Sequence, residues 1–177
     1  MKTLKNILIL FCSFLLLSAS CKKEKSNNPV DNLPPATQTG ENTFGCLVNG
    51  EVFTAKNKAL GSFDLFKEYT FYNGSMLLTV SAYNSKNNSQ ILIHIRDLEV
   101  KNDAKFILNS NDTPLGEYVI THNGVFNSYK TNLTNNRVLE VSRYDNKLSI
   151  LSGKFSFDAV NANGEKVEIR EGRFDLR

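Results

Sequence analysis

Two Asn-Gly pairs limit the possible folds of this chain more than any other feature of its sequence. Asn49-Gly50 lies within "FGCLVNGEVFT" (44–54), and Asn73-Gly74 lies within "EYTFYNGSMLLTVSAY" (68–83). Asn and Gly tolerate the positive φ angles of the tight turns whose twist matches that of antiparallel strands. The runs on either side of each pair are rich in the β-branched and aromatic residues that favour strands. These segments therefore predict two β-hairpins.

Further strands are indicated in the middle of the chain. The segment "QILIHIR" (90–96) has the two-residue alternation of a strand, with its three isoleucines on one face and His94 on the other. Short strands are also predicted in "GEYVIT" (116–121) and on both sides of a turn at Asp145-Asn146. The pattern is that of a chain that folds back on itself repeatedly.

The end of the chain predicts a hairpin around Asn161 to Gly164, with an irregular second strand. Four apolar residues of that strand change parity, two lying at odd and two at even positions: Val167, Ile169, Phe174 and Leu176. One extra residue would keep all four on the core side of the sheet. We therefore predict a β-bulge at Glu171-Gly172.

These strand signals recur at intervals of about 8–15 residues, which is typical of all-β domains. No segment has helical periodicity over three turns, although 97–105 or 56–60 would accommodate one short helix. We predict a single antiparallel β-sandwich or flattened β-barrel built from hairpins, with little or no helix, over residues 41–177.

Residues 1–20 have the layout of a secretory signal peptide. Lys2 and Lys5 precede an apolar stretch at 7–17, which is shorter than the roughly 20 residues needed to cross a bilayer. The small residues that follow suit ordinary cleavage. They also suit a bacterial lipobox, in which Cys21 would receive a diacylglycerol and become the new N-terminus.

We favour lipidation because Cys21 is followed at once by the charged run 22–25 and then by a proline-rich linker, 26–40. Residues 21–40 are then the lipidated cysteine and a disordered tether. The two or three acyl chains of a lipoprotein cysteine would attach it to a membrane. Lys22 is not the aspartate associated with inner-membrane retention, so we expect the outer membrane. Whether the protein faces the periplasm or the cell surface stays open.

Three stretches together resemble an uncharacterised family of Bacteroidetes lipoproteins. They are "LPPATQTGENTFGCLVNGEVF" (33–53), "VSRYD" (141–145) and "LSGKFSFDAVNANGEKVEIREGRFDLR" (151–177). The resemblance covers most of residues 33–177. It implies a secreted, lipid-anchored, mostly β domain without an assigned activity, and it therefore supplies no catalytic residues.

Cys46 is the strongest candidate for a catalytic residue. It would be the only cysteine left if Cys12 leaves with the signal peptide and Cys21 is acylated, so an intrachain disulfide is excluded. As a nucleophile it would need His94 or His122 within hydrogen-bond reach. Its place in a regular hairpin favours the alternative interpretation, a small buried hydrophobe.

Other sequence patterns that would indicate a catalytic or metal site are weak. Asp97 and Glu99 would share a face if the preceding strand continued, and paired carboxylates suit glycoside hydrolysis. Such pairs are also common on solvated strand faces. Two histidines without a flanking cysteine cluster do not suggest a zinc site, and we find no phosphate-binding glycine loop. We expect no catalytic residue, metal ligand or cofactor.

The candidates for a ligand surface are Tyr69, Tyr72 and Tyr83, which could line one side of a sheet near Asn73-Gly74. Without Lys2 and Lys5 the chain has 19 basic residues, out of 21 in total, against 18 acidic ones. This balance does not suggest a nucleic-acid surface.

The leading hypothesis is a non-enzymatic, lipid-anchored cell-envelope protein that binds a ligand or an outer-membrane protein partner. The alternatives are an envelope hydrolase that uses Cys46 or a carboxylate pair, and a structural envelope protein.

Overall fold

The computed structural model describes residues 28–56, 64–72, 74–109, 113–134 and 137–177, without the side chains of Lys56 and Tyr72. These ranges contain one short 3₁₀ helix, Pro29–Asn32, and eleven strands. The strands are β1 (Thr43–Val48), β2 (Glu51–Lys56), β3 (Leu65–Tyr72), β4 (Ser75–Asn84), β5 (Ser89–Arg96), β6 (Lys105–Ile107), β7 (Leu115–His122), β8 (Val125–Lys130), β9 (Val138–Asp145), β10 (Ile150–Val160) and β11 (Lys166–Leu176).

The strands form one antiparallel sheet that nearly closes on itself. Nine of them follow the order β2-β1-β11-β10-β8-β7-β5-β4-β3, and β9 lies between β10 and β6. Strand β10 is shared, because its first part pairs with β9 and its end pairs with β8. Strand β2 contacts β4 across the remaining gap. The predicted all-β architecture is confirmed as a barrel-like sandwich.

The turns explain where the strands reverse. Asn49 and Gly50 connect β1 and β2 with φ angles of 49° and 85°, as the type of turn requires. Strands β3 and β4 pair on either side of the second predicted turn, although Asn73 lies outside the described residues. The helix considered at 97–105 does not form, because the chain runs irregularly to β6. Residues 57–60 lie outside the described residues.

Two kinds of apolar wall meet in the core. The three isoleucines of β5 are at most 3% exposed, which confirms the predicted alternation. The facing wall is aromatic, with ring centroids of neighbouring phenylalanines between 5.1 and 6.2 Å apart. Burying each such side chain stabilises a fold by about 1.5–3 kcal/mol. The phenylalanines are Phe44, Phe53, Phe155, Phe157 and Phe174.

The bulge predicted in the last strand is confirmed. Phe155 pairs with Gly172 but Phe157 pairs with Ile169, so β11 has one residue more than β10 over this interval. Glu171 takes up the extra length with a positive φ of 54°. The four apolar residues on either side of the bulge all point into the core, at no more than 5% exposure: Val167, Ile169, Phe174 and Leu176.

Phenylalanines cover two glycines in the β10–β11 wall. Gly172 lies opposite Phe155, and Gly153 lies opposite Phe174. A Cβ atom at Gly172 would lie 2.5 Å from the carbonyl oxygen of Phe155 and 2.6 Å from its ring. An aromatic ring over a strand glycine supplies the packing that the glycine lacks. Neither position accepts a side chain without displacing its phenylalanine.

Residues 33–41, named the strap here, lie against the outer face of this wall. The sequence predicted a solvated tether for most of them, but Leu33 is only 8% exposed. Pro34 packs so closely on Gly45 that a Cβ atom there would lie 2.4 Å from the proline ring. Arg143 donates a hydrogen bond of 2.7 Å to the carbonyl oxygen of Gln38. The second half of the predicted tether is therefore part of the folded domain.

A single buried carboxylate holds the strap. Asp175, which is 1% exposed, accepts hydrogen bonds from the Thr37 hydroxyl at 2.7 Å and from the Ser152 hydroxyl at 2.6 Å. The backbone N–H groups of Thr39, Gly40 and Glu41 donate to the same carboxylate at 2.9–3.1 Å. Burial by itself would raise the pKa of Asp175, but these donors outweigh it and lower the pKa to about 2.

Candidate functional site

The apolar interior reaches the surface between β3, β4 and the segment that follows β5. This opening, named the mouth, has a volume of about 280 Å³. Two tyrosines and four aliphatic or thioether side chains line most of it: Tyr69, Met76, Leu78, Ile95, Leu98 and Tyr144. Leu78 and Ile95 belong to the buried core, so the mouth is continuous with the interior.

The alternation of β3 explains why the mouth is apolar. Leu65, Tyr69 and Phe71 lie on the inner face of the hairpin, where Tyr69 pairs with Leu78 and Phe71 pairs with Met76. Their exposure rises along the strand, from 3% at Leu65 to 42% at Tyr69 and 70% at Phe71. The core-facing row of side chains therefore continues past the point where a core covers it.

The tip of this hairpin extends beyond β5. The pairing of β4 with β5 begins at Leu77, so Met76 has no strand partner there. Instead, the Met76 N–H donates to the Asp97 carboxylate at 2.9 Å, and the Asp97 N–H donates to the Met76 carbonyl oxygen at 2.9 Å. Asp97 thus fixes the rim of the mouth.

Tyr69 and Tyr144 form the neck of the mouth. Their ring centroids are 6.5 Å apart, and the ring planes are inclined at 53°. Burial raises the pKa of Tyr69, and the neighbouring Tyr144 raises it further. Both the flat rings and the uncharged phenol of Tyr69 suit contact with an apolar group that also carries a hydrogen-bonding atom.

The rim presents a cluster of large apolar side chains to solvent. Tyr69, Met76 and Leu98 line the opening and are between 42% and 48% exposed, and Phe71, which lies opposite Met76 on β3, is 70% exposed. Strand β3 is also an edge of the sheet, because among the described strands it pairs with β4 alone. An apolar edge strand of this kind is available for pairing with another chain.

Two of the three predicted tyrosines, Tyr69 and Tyr83, do not come together. Tyr69 lines the mouth, whereas Tyr83 lies near the far end of β4 on the outer face and donates to the Asn88 side chain. Tyr83 borders a different cavity of about 340 Å³, beside Asp64 and Lys86. The side chain of Tyr72 lies outside the described residues. Of the two candidates whose side chains are described, Tyr69 lies in the mouth and Tyr83 does not.

Cys46 is fully buried in the core, as the hydrophobic interpretation predicted. Burial raises the pKa of its thiol, which disfavours the thiolate that a nucleophile needs. His94 lies on the outer face of β5, with Nδ1 3.0 Å from the Thr79 hydroxyl. His122 is exposed at the end of β7. His94 therefore faces away from the core that contains Cys46, and His122, although it shares the parity of core-facing Tyr118, is exposed to solvent at the end of its strand.

The carboxylates considered for hydrolysis have other partners. Strand β5 ends at Arg96, so Asp97 and Glu99 do not continue one strand face. Glu99 instead forms a solvent-exposed ion pair with Lys101 at 2.8 Å. Within the described ranges, no group of three or more His, Cys, Asp or Glu side chains could hold a metal ion.

Tyr144 is the residue of the mouth that sequence reasoning missed. It points inward because β9 contains an extra residue, with Arg143 opposite Ser152 but Val141 opposite Gly153. Val141 is buried at an odd position, and Tyr144 faces the same interior from an even one. A parity change of the same kind predicted the bulge in β11, so the inward position of Tyr144 could have been predicted from the sequence.

Comparison with known proteins identifies no family. No protein-family model matches the chain, and neither a curated protein nor a solved structure matches it. The resemblance to Bacteroidetes lipoproteins therefore stays a prediction. So does lipidation at Cys21, which lies outside the described residues. Over the described part of the chain, no helix has the length and apolar character needed to cross a membrane.

Proposed function

We propose that this protein is a non-enzymatic, lipid-anchored domain of the outer membrane that binds an extended apolar segment of a partner protein at the mouth. The observation that carries the proposal is the exposed apolar rim beside an edge strand, β3, which pairs with β4 alone among the described strands. Phe71 is 70% exposed although it lies on the core-facing side of β3. A domain that acted alone would gain stability by burying such a side chain.

The two features of the rim suit one mode of recognition. An extended segment that adds to the free edge of β3 would gain main-chain hydrogen bonds, while alternate side chains would enter the mouth. A volume of about 280 Å³ accommodates one or two large apolar side chains. Each would contribute about 1.5–3 kcal/mol on burial. The chemistry expected of the partner is therefore a strand rich in large apolar residues.

Membrane attachment is the second element of the proposal, and it rests on Cys21. Each buried acyl CH₂ group contributes about 0.8 kcal/mol, so two or three chains give lasting attachment. Cys21→Ala should abolish fatty-acid labelling and release the protein from membranes. Continued labelling of this variant would remove the anchor from the proposal without affecting the mouth.

Photo-crosslinking in native membranes tests the mouth. A photoreactive phenylalanine analogue replaces Phe71 in one protein and Phe126 in another, since Phe126 is 76% exposed on a different hairpin. We expect an adduct from position 71 that maps by mass spectrometry to one apolar, extended segment of one membrane protein. The adduct should disappear when Leu98→Asp places a charge in the mouth. Equal adducts from both positions, or none from position 71, would contradict the proposal.

A further inference from the structure

We propose that the outer face of β9, β10 and β11 carries a second binding site, for a small polar ligand with an oxyanion group such as a carboxylate or a phosphate. The site is a groove of about 540 Å³ between the sheet and the segment that leads into the strap. Small-molecule sites have volumes of about 300–1,000 Å³. The groove is separate from the mouth and shares no lining residue with it.

A row of charged side chains aligned across four strands crosses the floor of the groove, and three of its members line the groove: Glu140, Lys154 and Arg173. Lys105 lies opposite Glu140, Glu140 lies opposite Lys154, and Lys154 lies opposite Arg173. The signs along the row are therefore positive, negative, positive and positive. Residues directly opposite each other on antiparallel strands have Cβ atoms about 4.5–5.5 Å apart, and like charges in such pairs destabilise the sheet.

The one acid in this row does not compensate the adjacent pair of cations. Glu140 forms its ion pair with Lys105, at 3.1 Å, on the side away from Arg173. Lys154 is exposed and forms no ion pair with the described residues. Arg173 lies 3.4 Å from the carboxylate of Glu171, which is 56% exposed, and its Nε donates to the Glu171 carbonyl oxygen at 3.2 Å. Glu140 and Glu171 both border the groove, but their ion pairs are with Lys105 and Arg173, so Lys154 is the cation of this row whose charge a ligand could neutralise.

The geometry of the floor offers hydrogen-bond donors beside these cations. Arg173 is only 18% exposed, so its guanidinium is held in place, and a fixed guanidinium donates two parallel hydrogen bonds to a carboxylate or a phosphate. Ser156 lies opposite the bulge of β11, where the pairing of β10 and β11 is interrupted, and it borders the groove. A bulge next to a binding site is a recurrent arrangement in sheets.

One side of the groove is apolar, which restricts the ligands that fit. Val30 and Ala36 line one side, and neither side chain can hydrogen-bond or carry charge. A ligand with one oxyanion and a compact, partly apolar body would bind with its oxyanion beside Lys154 and Arg173 and with its body against this apolar side. Acidic sugars and phosphorylated lipid headgroups share this chemistry.

Binding to the full-length mature protein in neutral detergent tests the inference. The probes are glucuronate, inorganic phosphate, and phosphatidylglycerol compared with phosphatidylcholine in mixed micelles of the same detergent. We expect at least one anionic probe to bind, Lys154→Gln to weaken that binding at least tenfold, and added salt to weaken it further. Glucuronate or phosphate binding alone would indicate a soluble ligand, and phosphatidylglycerol binding alone would indicate a lipid headgroup.

Two further variants separate the groove from general charge effects. Lys147→Gln removes an exposed lysine from the turn after β9, outside the groove, and should leave binding unchanged. Ala36→Asp places a carboxylate on the apolar side of the groove and should abolish binding. Because Ala36 is exposed, this substitution should not unfold the protein. Binding that survives Lys154→Gln and Ala36→Asp, equal weakening by Lys147→Gln, or no binding of any anionic probe would overturn the inference.

Discussion

The β10–β11 wall and the β3–β4 hairpin are both antiparallel pairs of strands, yet their faces are covered by other parts of the protein to different extents. The wall packs phenylalanines on its inner face and is covered by the strap on its outer face, where Asp175 is 1% exposed. The hairpin projects past the core, and its inner face ends in Phe71 at 70% exposure. The wall therefore uses its side chains for stability, while the hairpin leaves apolar surface open for contact.

This difference predicts whether a substitution affects stability or association with a partner. A change in the wall removes contacts made on two faces and should lower the free energy of unfolding. A change at the tip of the hairpin removes few contacts within the protein and should affect association with a partner.

The largest effect is expected for Asp175→Ala, which removes the acceptor for five donors around the strap. Hydrogen bonds to charged groups contribute about 1.5–3 kcal/mol each but are not additive. We expect the free energy of unfolding in urea to fall by about 3–4 kcal/mol. Proteolysis within residues 33–41 should also become faster. Asp103→Asn, at an exposed position with a positive φ, serves as the control and should change stability by less than about 0.5 kcal/mol.

Gly172→Ala should have the next largest effect. The added methyl group would clash with the backbone and ring of Phe155, and overpacking of this kind costs about 1–3 kcal/mol. Gly74→Asn is the matched change in the open hairpin, where nothing lies within 4 Å and Asn tolerates the positive φ. If the two substitutions cost the same in urea unfolding, the contrast between wall and hairpin is wrong.

The pH dependence of stability should reveal Asp175 directly. Its pKa of about 2 in the folded state lies below the value of about 3.9 for an unfolded aspartate. The ionised carboxylate therefore stabilises the fold above about pH 4, and this contribution is lost as the pH falls towards 2. We expect the stability difference between the wild type and Asp175→Asn to shrink by about 2 kcal/mol between pH 5 and pH 2. A difference that stayed constant over this range would contradict the role of the charge.

The smallest effect on stability is expected for Phe71→Ser. Since the side chain is mostly exposed, the free energy of unfolding should change by less than about 0.5 kcal/mol. Retention of the partner on membranes should fall roughly tenfold, in line with the loss of one apolar anchor. Phe126→Ser is the control, since it removes an equally exposed ring from another hairpin. Equal losses of partner from both variants would place the interaction elsewhere.

The fold was more predictable than the site, for reasons that particular residues show. The bulge at Glu171-Gly172 followed from the parity of nearby apolar residues, which is a local pattern. The grouping of Tyr69 with Tyr83 failed because a two-residue turn pairs odd positions of β3 with even positions of β4. The two odd-numbered tyrosines therefore lie on opposite faces.

The strap was not predictable from composition. Three of the four prolines of the chain lie between residues 26 and 40, which is typical of a linker. Its partner, Asp175, is 135 positions away from Gly40. No local pattern links the two, because a carboxylate at the end of one strand becomes buried only when another part of the chain covers it.

The long separation between the strap and Asp175 has a consequence for the order in which the chain can fold. During synthesis from the N-terminus, the strap emerges long before β11, so it cannot dock until nearly all the described strands have been made. Strand β1 also depends on β11, its neighbour in the sheet. Contacts between distant positions form slowly in folding chains. The two ends of the described chain therefore cannot join until nearly all of it has been made, and in the secretion that we propose this would keep the polypeptide open while a channel threads it.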